Sequence, residues 1–530
     1  MSDNQIKVRY KEKSKPKIGR INVFVGLAVV MFLGVSLAFA VAAFSKKFNL
    51  SPAPLEIISA VSGTIIRVPA GGDLQAAINR AKSGDIIELA AGATYYGEIK
   101  LPVKPLTDFI TIQTSAVNQL PENKRINPSQ TNLLAKIVTK GKGVSAVTTA
   151  NGAHHFRFVG IEFVPANADY IYNLVYFGAD DSNKLSDIPH HLEIDRCYFH
   201  PYKTGVTRRA LALNSAATNV KNSYFAGFAY PGEETQAICG WTGTKDVKII
   251  NNYLEGGAEN ILLGGSDPAS ADLIPADIEV RGNHINKPAE WKGKNTMKNL
   301  FEIKNARRVQ LIGNYLENSW ASAALTITVR NQDGSAPFST IEDVLIKDNI
   351  ISGAGEGMNI LGLDDTHPSQ TMKRLNIVNN LFLHIGEESW KGSGYFIQIS
   401  NGEDVLIANN TIFNTGNITT FHGETPRNFL FRDNIVGHGN YGIHGHENIK
   451  SPAGQRLYQN NVIVNNQKVT QSDTSFPPGN FWAPDYKSVG FIDFANNDFR
   501  LAPNSRFKGK GKNNTDIGSN LTVNNSAKQE

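Results

Sequence analysis

Cysteine is almost missing: Cys197 and Cys239 are the only two in 530 residues. That excludes a disulfide framework, and since they fall at different phases of the repeat described below, they read as small buried core residues. An excess of one charge sign is also missing from most of the chain. The whole formal excess of +5 sits in residues 1–20, where Lys7, Arg9, Lys11, Lys13, Lys15, Lys17 and Arg20 face only Asp3 and Glu12. Lys46 and Lys47 add two more bases, so everything after them sums to about −2. A domain so close to neutral has no basic footprint, which excludes nucleic acid as a bulk electrostatic partner.

Long apolar runs are missing too, with one exception. Residues 21–44, INVFVGLAVVMFLGVSLAFAVAAF, carry no charge. A helix of that length crosses a hydrocarbon core of about 30 Å with some tilt. Bases crowd its N-terminal side, which places residues 1–20 in the cytoplasm and the rest outside. Ala38-Phe39-Ala40 and Val41-Ala42-Ala43 would suit signal-peptide cleavage, but the apolar stretch is longer than such a peptide needs. The expectation is a single-pass anchor in the cell membrane, a linker over residues 45–60 with Pro52 and Pro54, and an exported domain, periplasmic or extracellular. That domain is expected to work as a monomer.

Asparagine is abundant, and its spacing is informative. An apolar strand, a small or polar residue, Asn, then apolar residues recur at Asn222, Asn252, Asn283, Asn314, Asn349, Asn380, Asn410, Asn434 and Asn461. Two looser copies put Ile161 and Arg196 at that position. The steps are 35, 26, 30, 31, 31, 35, 31, 30, 24 and 27 residues. Stacked at strand spacing, Asn amides can donate along one direction and accept along the other, and Asn tolerates a left-handed turn. Leucine-rich repeats and propeller blades have other periods. Variable steps fit a coil whose loops lengthen without disturbing its core. Ahead of the array, Leu74, Ala77, Ile78 and Ala81 make one apolar helix face behind a candidate N-cap, Asp73. Such a helix covers the open end of a solenoid. Residues 504–530 are polar and are expected to lack fixed structure.

These features resemble the right-handed parallel β-helix, or pectin-lyase-like, superfamily over residues 61–503. The resemblance implies an all-β solenoid. Superfamily members are polysaccharide lyases, glycoside hydrolases, sugar epimerases and surface binding proteins, so the fold alone does not choose an activity.

Strand parity suggests a site. In NLFEIK, Phe301 and Ile303 point inward, leaving Glu302 and Lys304 outside; in ALTITVR the same alternation leaves Arg330 outside one coil later. Glu259, Asn260, Asp364, Asp365 and His367 fall at the same edge, and Trp291, Trp320 and Trp390 begin loops that would rim it for sugar stacking. A uronate lyase needs a group to neutralise the carboxylate, a base for the adjacent C–H and an acid for the leaving oxygen. Crowding by Arg307, Arg308 and Arg330 would favour a neutral Lys304, and Glu302 with Asp364 can hold Ca²⁺ through oxygen ligands. The stretch from GGAENILLGG through FEIKN and IGN to LTITVR resembles the chondroitinase B and alginate lyase family. That resemblance implies Lys304 as catalytic base and Arg330 as its partner, acting on an acidic polysaccharide. Two other readings stay open. Asp364-Asp365 with Gly437-His438-Gly439 would suit an inverting hydrolase, and a tethered β-helix can simply bind glycans. His438, His444 and His446 share a glycine-rich turn, where exposed histidines are common without zinc.

Overall fold

The computed structural model describes residues 63–141, 143–178, 183–445, 458–466 and 477–523. The chain divides into units Met1–Val61 and Ser62–Glu530, and all the described residues belong to the second. The basic segment, the apolar run over residues 21–44 and the linker lie outside the described residues. Among the described residues no helix is long and apolar enough to cross a membrane.

Each coil supplies short strands to parallel ladders. Among the described residues sheet I has 14 strands, from Ile65–Val68 to Tyr458–Gln459. Its strands pair in consecutive coils at constant register, as in Val247↔Ile278 and Val309↔Val344. Sheet II follows the asparagine turn and includes Tyr198–Phe199, Tyr224–Phe228, Tyr253–Gly256 and His284–Asn286. Sheet III includes Thr207–Leu213, Gln236–Gly240, Glu259–Leu263 and Phe301–Ile303. Strands Tyr315–Thr328 and Ile350–Leu361 run through the bend and join sheets II and III. This is a parallel β-helix. Alternation sends every second side chain inward, where like residues stack: Phe163, Phe199 and Phe225 have ring centroids 4.7 and 4.3 Å apart.

Helix Leu74–Arg80 covers the N-terminal end as expected, burying Leu74, Ala77 and Ile78. Asp73 caps it by accepting from Ala76 N at 2.8 Å. Lys104 closes the other end, its ammonium donating to the carbonyls of Ile78 (2.9 Å), Asn79 (2.8 Å) and Ala81.

The ladder runs through Asn252, Asn283, Asn314, Asn349, Asn380, Asn410, Asn434, Asn461 and Asn480, each Nδ2 donating to the next Oδ1 at 2.8–3.1 Å. Each Oδ1 also accepts the preceding rung's backbone N–H, as Asn314 does from Asn283 at 2.9 Å. Two early positions are corrected by one residue. Asn222 and Arg196 are the left-handed residues, with φ of 54° and 51°, and Ser223 and Cys197 hold the rungs. Ser223 N donates to Asn252 Oδ1 at 2.9 Å, and Cys197 N to Ser223 Oγ at 3.0 Å. Later coils likewise put the left-handed turn one residue before the rung, at Asn251, Asp348, Asn379 and Asn409. Cys197 is thus buried as expected, but as a rung at the head of the ladder.

The C-terminal segment is also corrected. Residues 504–523 are ordered, with Phe507 and Ile517 only 2% and 1% exposed. They pack with Val489, Phe491 and Phe499 over Tyr315, Ile350, Leu381 and Ile435 on the outside of sheet II. The segment then runs back along the turns. Lys512 N donates to Asp433 Oδ1 (3.0 Å), Asn409 Nδ2 to Asp516 O (3.0 Å), and Asn520 N to Asn379 Oδ1 (2.9 Å).

Candidate functional site

Two outward rows of sheet III carry the polar residues. One stacks Asn173, Arg209, Gln236 and Glu259 on successive coils. The other stacks Glu302, Thr326, Asn359 and Gln398. Lys304 stands two positions beyond Glu302, on the same side. Its carbonyl accepts Arg330 N–H at 2.8 Å, so Lys304 and Arg330 meet at one sheet edge on consecutive coils. Both side chains are partly exposed, at 22% and 30%.

Their charges fall into two clusters. In the first, Lys304 Nζ lies 3.8 Å from Glu302 Oε1, and Glu302 Oε2 accepts from Asn299 Nδ2 at 3.0 Å. Lys298 pairs with Glu234 and lies 3.6 Å from Glu259, which accepts from Gln236 Nε2 at 2.8 Å. Burial, and then the Glu259 charge, push the Glu302 carboxyl above the usual range. Burial opposes the charge on Lys298, but Glu234 and Glu259 outweigh it and raise its pKa. In the second cluster Arg330 is pinned by Asp365 and, at 3.2 Å, by Asp364. Asp364 also accepts from Thr366 N at 2.8 Å and Asn331 N at 2.6 Å, and His367 Nδ1 lies 3.0 Å from Asn331 O. Asp364, Asp365 and His367 therefore form the turn that fixes Arg330.

Several expected members stand elsewhere. Asn260 is fully buried, its amide nitrogen donating to Leu254 O and Asn286 O at 2.8 Å each, so it braces the bend. Glu302 and Asp364 belong to the two separate clusters: register puts Asp364 two coils on, in the coil of Asn359, where its carboxylate is held by Arg330, Thr366 N and Asn331 N. Arg307 and Arg308 lie on sheet I, paired with Glu342 (4.0 Å) and Asp277 (2.5 Å), and do not crowd Lys304. The tryptophans do not all begin loops. Trp320 lies inside strand Tyr315–Thr328. Trp390 stacks on His384 with centroids 5.7 Å apart, and its carbonyl accepts from Ala321 N at 2.8 Å. Trp291 opens onto a groove of about 680 Å³ outside sheet II, with Glu162, Tyr198, His200, Tyr202 and Glu255. There Glu162 is held by Lys136 (2.9 Å) and His200 (3.1 Å), and Tyr198, Tyr224, Tyr253 and His284 form an aromatic row with centroid steps of 6.0, 4.3 and 5.0 Å. His438, from the hydrolase motif, is buried, its Nδ1 2.9 Å from Gly439 O, and His446 lies outside the described residues.

Lys298, Glu234, Gln236, Arg208 and Arg209 were not legible as site residues. Gln236 stacks on Glu259, and counting ladder register back from Glu259 would have found it. Buried polar atoms without a partner gather here: Gln236 Oε1, Asn299 Oδ1, and Nε of both Arg208 and Arg209. Native interiors rarely leave such atoms unpaired, and a polyhydroxylated, charged ligand offers them partners. Lys287, wholly buried behind the bend, donates to the carbonyls of Gly256 (2.7 Å), Gly257 (2.6 Å) and Ala258 (3.1 Å), and burial pushes its pKa down to about 7.

No family model matches the chain, and no curated protein does. Solved structures do. A mannuronic acid specific polysaccharide family 6 lyase from human gut microbiota is 12% identical with a TM-score of 0.39, over 80% of this chain and 92% of that one. An alginate lyase from Paenibacillus sp. str. FPU-7 is 13% identical with a TM-score of 0.30, over 75% and 98%. The tailspike protein of E. coli bacteriophage HK620 is 12% identical with a TM-score of 0.43, over 74% and 67%. These neighbours are parallel β-helices. For this chain the register ladders define the fold, and the site stands on its own geometry.

Proposed function

We propose that this chain acts on an acidic polysaccharide laid along the outer face of sheet III, by β-elimination at Lys304 and Arg330. The supporting observation is their placement. Two partly exposed cations share one sheet edge, joined by the Arg330 N to Lys304 O bond, beside a carboxyl that its surroundings bias toward the neutral form. A protonated Glu302 donates a hydrogen bond to the uronate carboxylate and acidifies the neighbouring C–H. Lys304 in its neutral form takes that proton and returns it to the leaving oxygen, and Arg330, fixed by its two aspartates, steadies the developing charge. The apolar run at residues 21–44 tethers the protein to the cell membrane, N-terminus inside and β-helix outside.

The test is absorbance of the unsaturated uronate, with the full chain in detergent and a panel of alginate, pectate and glycosaminoglycans, with and without Ca²⁺. A rising signal that Lys304→Ala abolishes supports the reading, and a requirement for Ca²⁺ would add a metal to it. A flat trace on every polymer, from folded protein, overturns it. The aromatic groove of sheet II favours a second reading, glycan binding without chemistry, which that flat trace together with retained polymer affinity would support.

A further inference from the structure

Four of the twelve histidines occupy one patch that the proposed activity does not use. They come from two His-His pairs, His154-His155 and His190-His191, at the start of adjacent sheet I strands with His190 in register on His154. Consecutive strand residues normally point to opposite faces. Here His155 and His191 take left-handed backbone, φ 60° and 53°, which allows both members of each pair to turn outward. Later coils put a left-handed residue at the same strand position, at Ala217, Asp246 and Asp277, so the turn belongs to the fold and the histidines use it. The rings stack across the coils, His154 on His190 at 4.9 Å and 2°, and His155 on His191 at 4.6 Å and 5°. Within each pair the two Nδ1 atoms are 2.7 Å apart, a distance at which one proton is shared.

We propose that this patch binds one divalent transition-metal ion of the imidazole-preferring class, represented by Zn²⁺, and so clips the two coils together. Ligand nitrogens of His155, His190 and His191 all lie within 4.8 Å of one another. Bonds of about 2.0–2.1 Å to a tetrahedral ion then need only small side-chain rotations. All three are partly or fully exposed, so an ion has access. The Asp108 carboxylate adds favourable charge beside His155. A ring ligates through the nitrogen that carries no hydrogen, so a ring hydrogen-bonded through Nδ1–H shifts that proton to its Nε2 on binding the ion through Nδ1.

The test is equilibrium dialysis and titration calorimetry of the full chain against Zn²⁺, with Ni²⁺ and Cu²⁺ as further probes, followed by thermal unfolding with and without metal. One ion per chain and a metal-dependent rise in melting temperature are expected. The double variant His155→Asn/His191→Asn loses both, while asparagine preserves the left-handed backbone and the metal-free protein still melts cooperatively. Stoichiometric binding that survives the double variant, or no binding of any of the three ions by the parent chain, overturns the proposal.

Discussion

The outer face of sheet II changes character halfway along. Its outward row begins Glu162, Tyr198, Tyr224, Tyr253, His284 and continues Tyr315, Ile350, Leu381. The first stretch is open and borders the groove with Trp291; the second lies under the C-terminal segment. The backbone ladder is the same in both. One outward position per coil decides whether the helix offers a polar aromatic surface or an apolar seat for its own tail.

Removing residues 504–530 tests that contrast hardest. Losing the burial of Phe507 and Ile517 should cost on the order of 4 kcal/mol at about 25 cal/mol per Å² of apolar surface. Urea unfolding would show the covered half melting first, and an unchanged midpoint would mean that the tail merely rests on the sheet. The interior should be indifferent to the difference. Asn283→Ala in the open half and Asn434→Ala in the covered half each leave buried backbone groups unpaired, and each should cost about 2 kcal/mol. A large inequality would show that the outer cover supports the ladder. The smallest effect is in pH. Burial favours a neutral Glu162, but His200 and Lys136 outweigh it and lower its pKa, whereas burial raises that of Glu255. Glu162 therefore adds stability above the unfolded carboxylate value of about 4.3, lost as pH falls through its lower folded value. Glu255 costs stability near neutrality, and that cost is relieved as pH falls through its raised value. Carboxyl NMR titration should find the two midpoints on opposite sides of the unfolded value, and Glu162→Gln should flatten the loss at low pH.

The ladder and its register were legible because an interior amide must be Asn to donate and accept at once, and that demand repeats once per coil. The slip at Asn222 arose because the left-handed residue before each rung also favours Asn, so KNS and INN look alike until Ser223 is seen holding the rung. The tail was hidden by composition: two apolar anchors, Phe507 and Ile517, among Lys, Asn and Gly give no periodicity. At the candidate site, parity put Lys304 and Arg330 outward at one edge, and the structure has both partly exposed there, just past the strand ends at Ile303 and Thr328. Parity did not place Trp320, because the two strands through the bend replace the loop that was expected, nor Lys298 and Glu234, which lie outside the alternating strands.

The tail's direction has a mechanical consequence. From Lys512 to Asn520 it contacts Asp433, then Asn409, then Asn379, running backward against the progress of the coils. A load applied at the C-terminus meets these bonds one at a time, beginning at Asn379, so it peels the strap instead of shearing it. Force would strip the cover in small steps and bare the apolar half of sheet II while the coils beneath stayed wound.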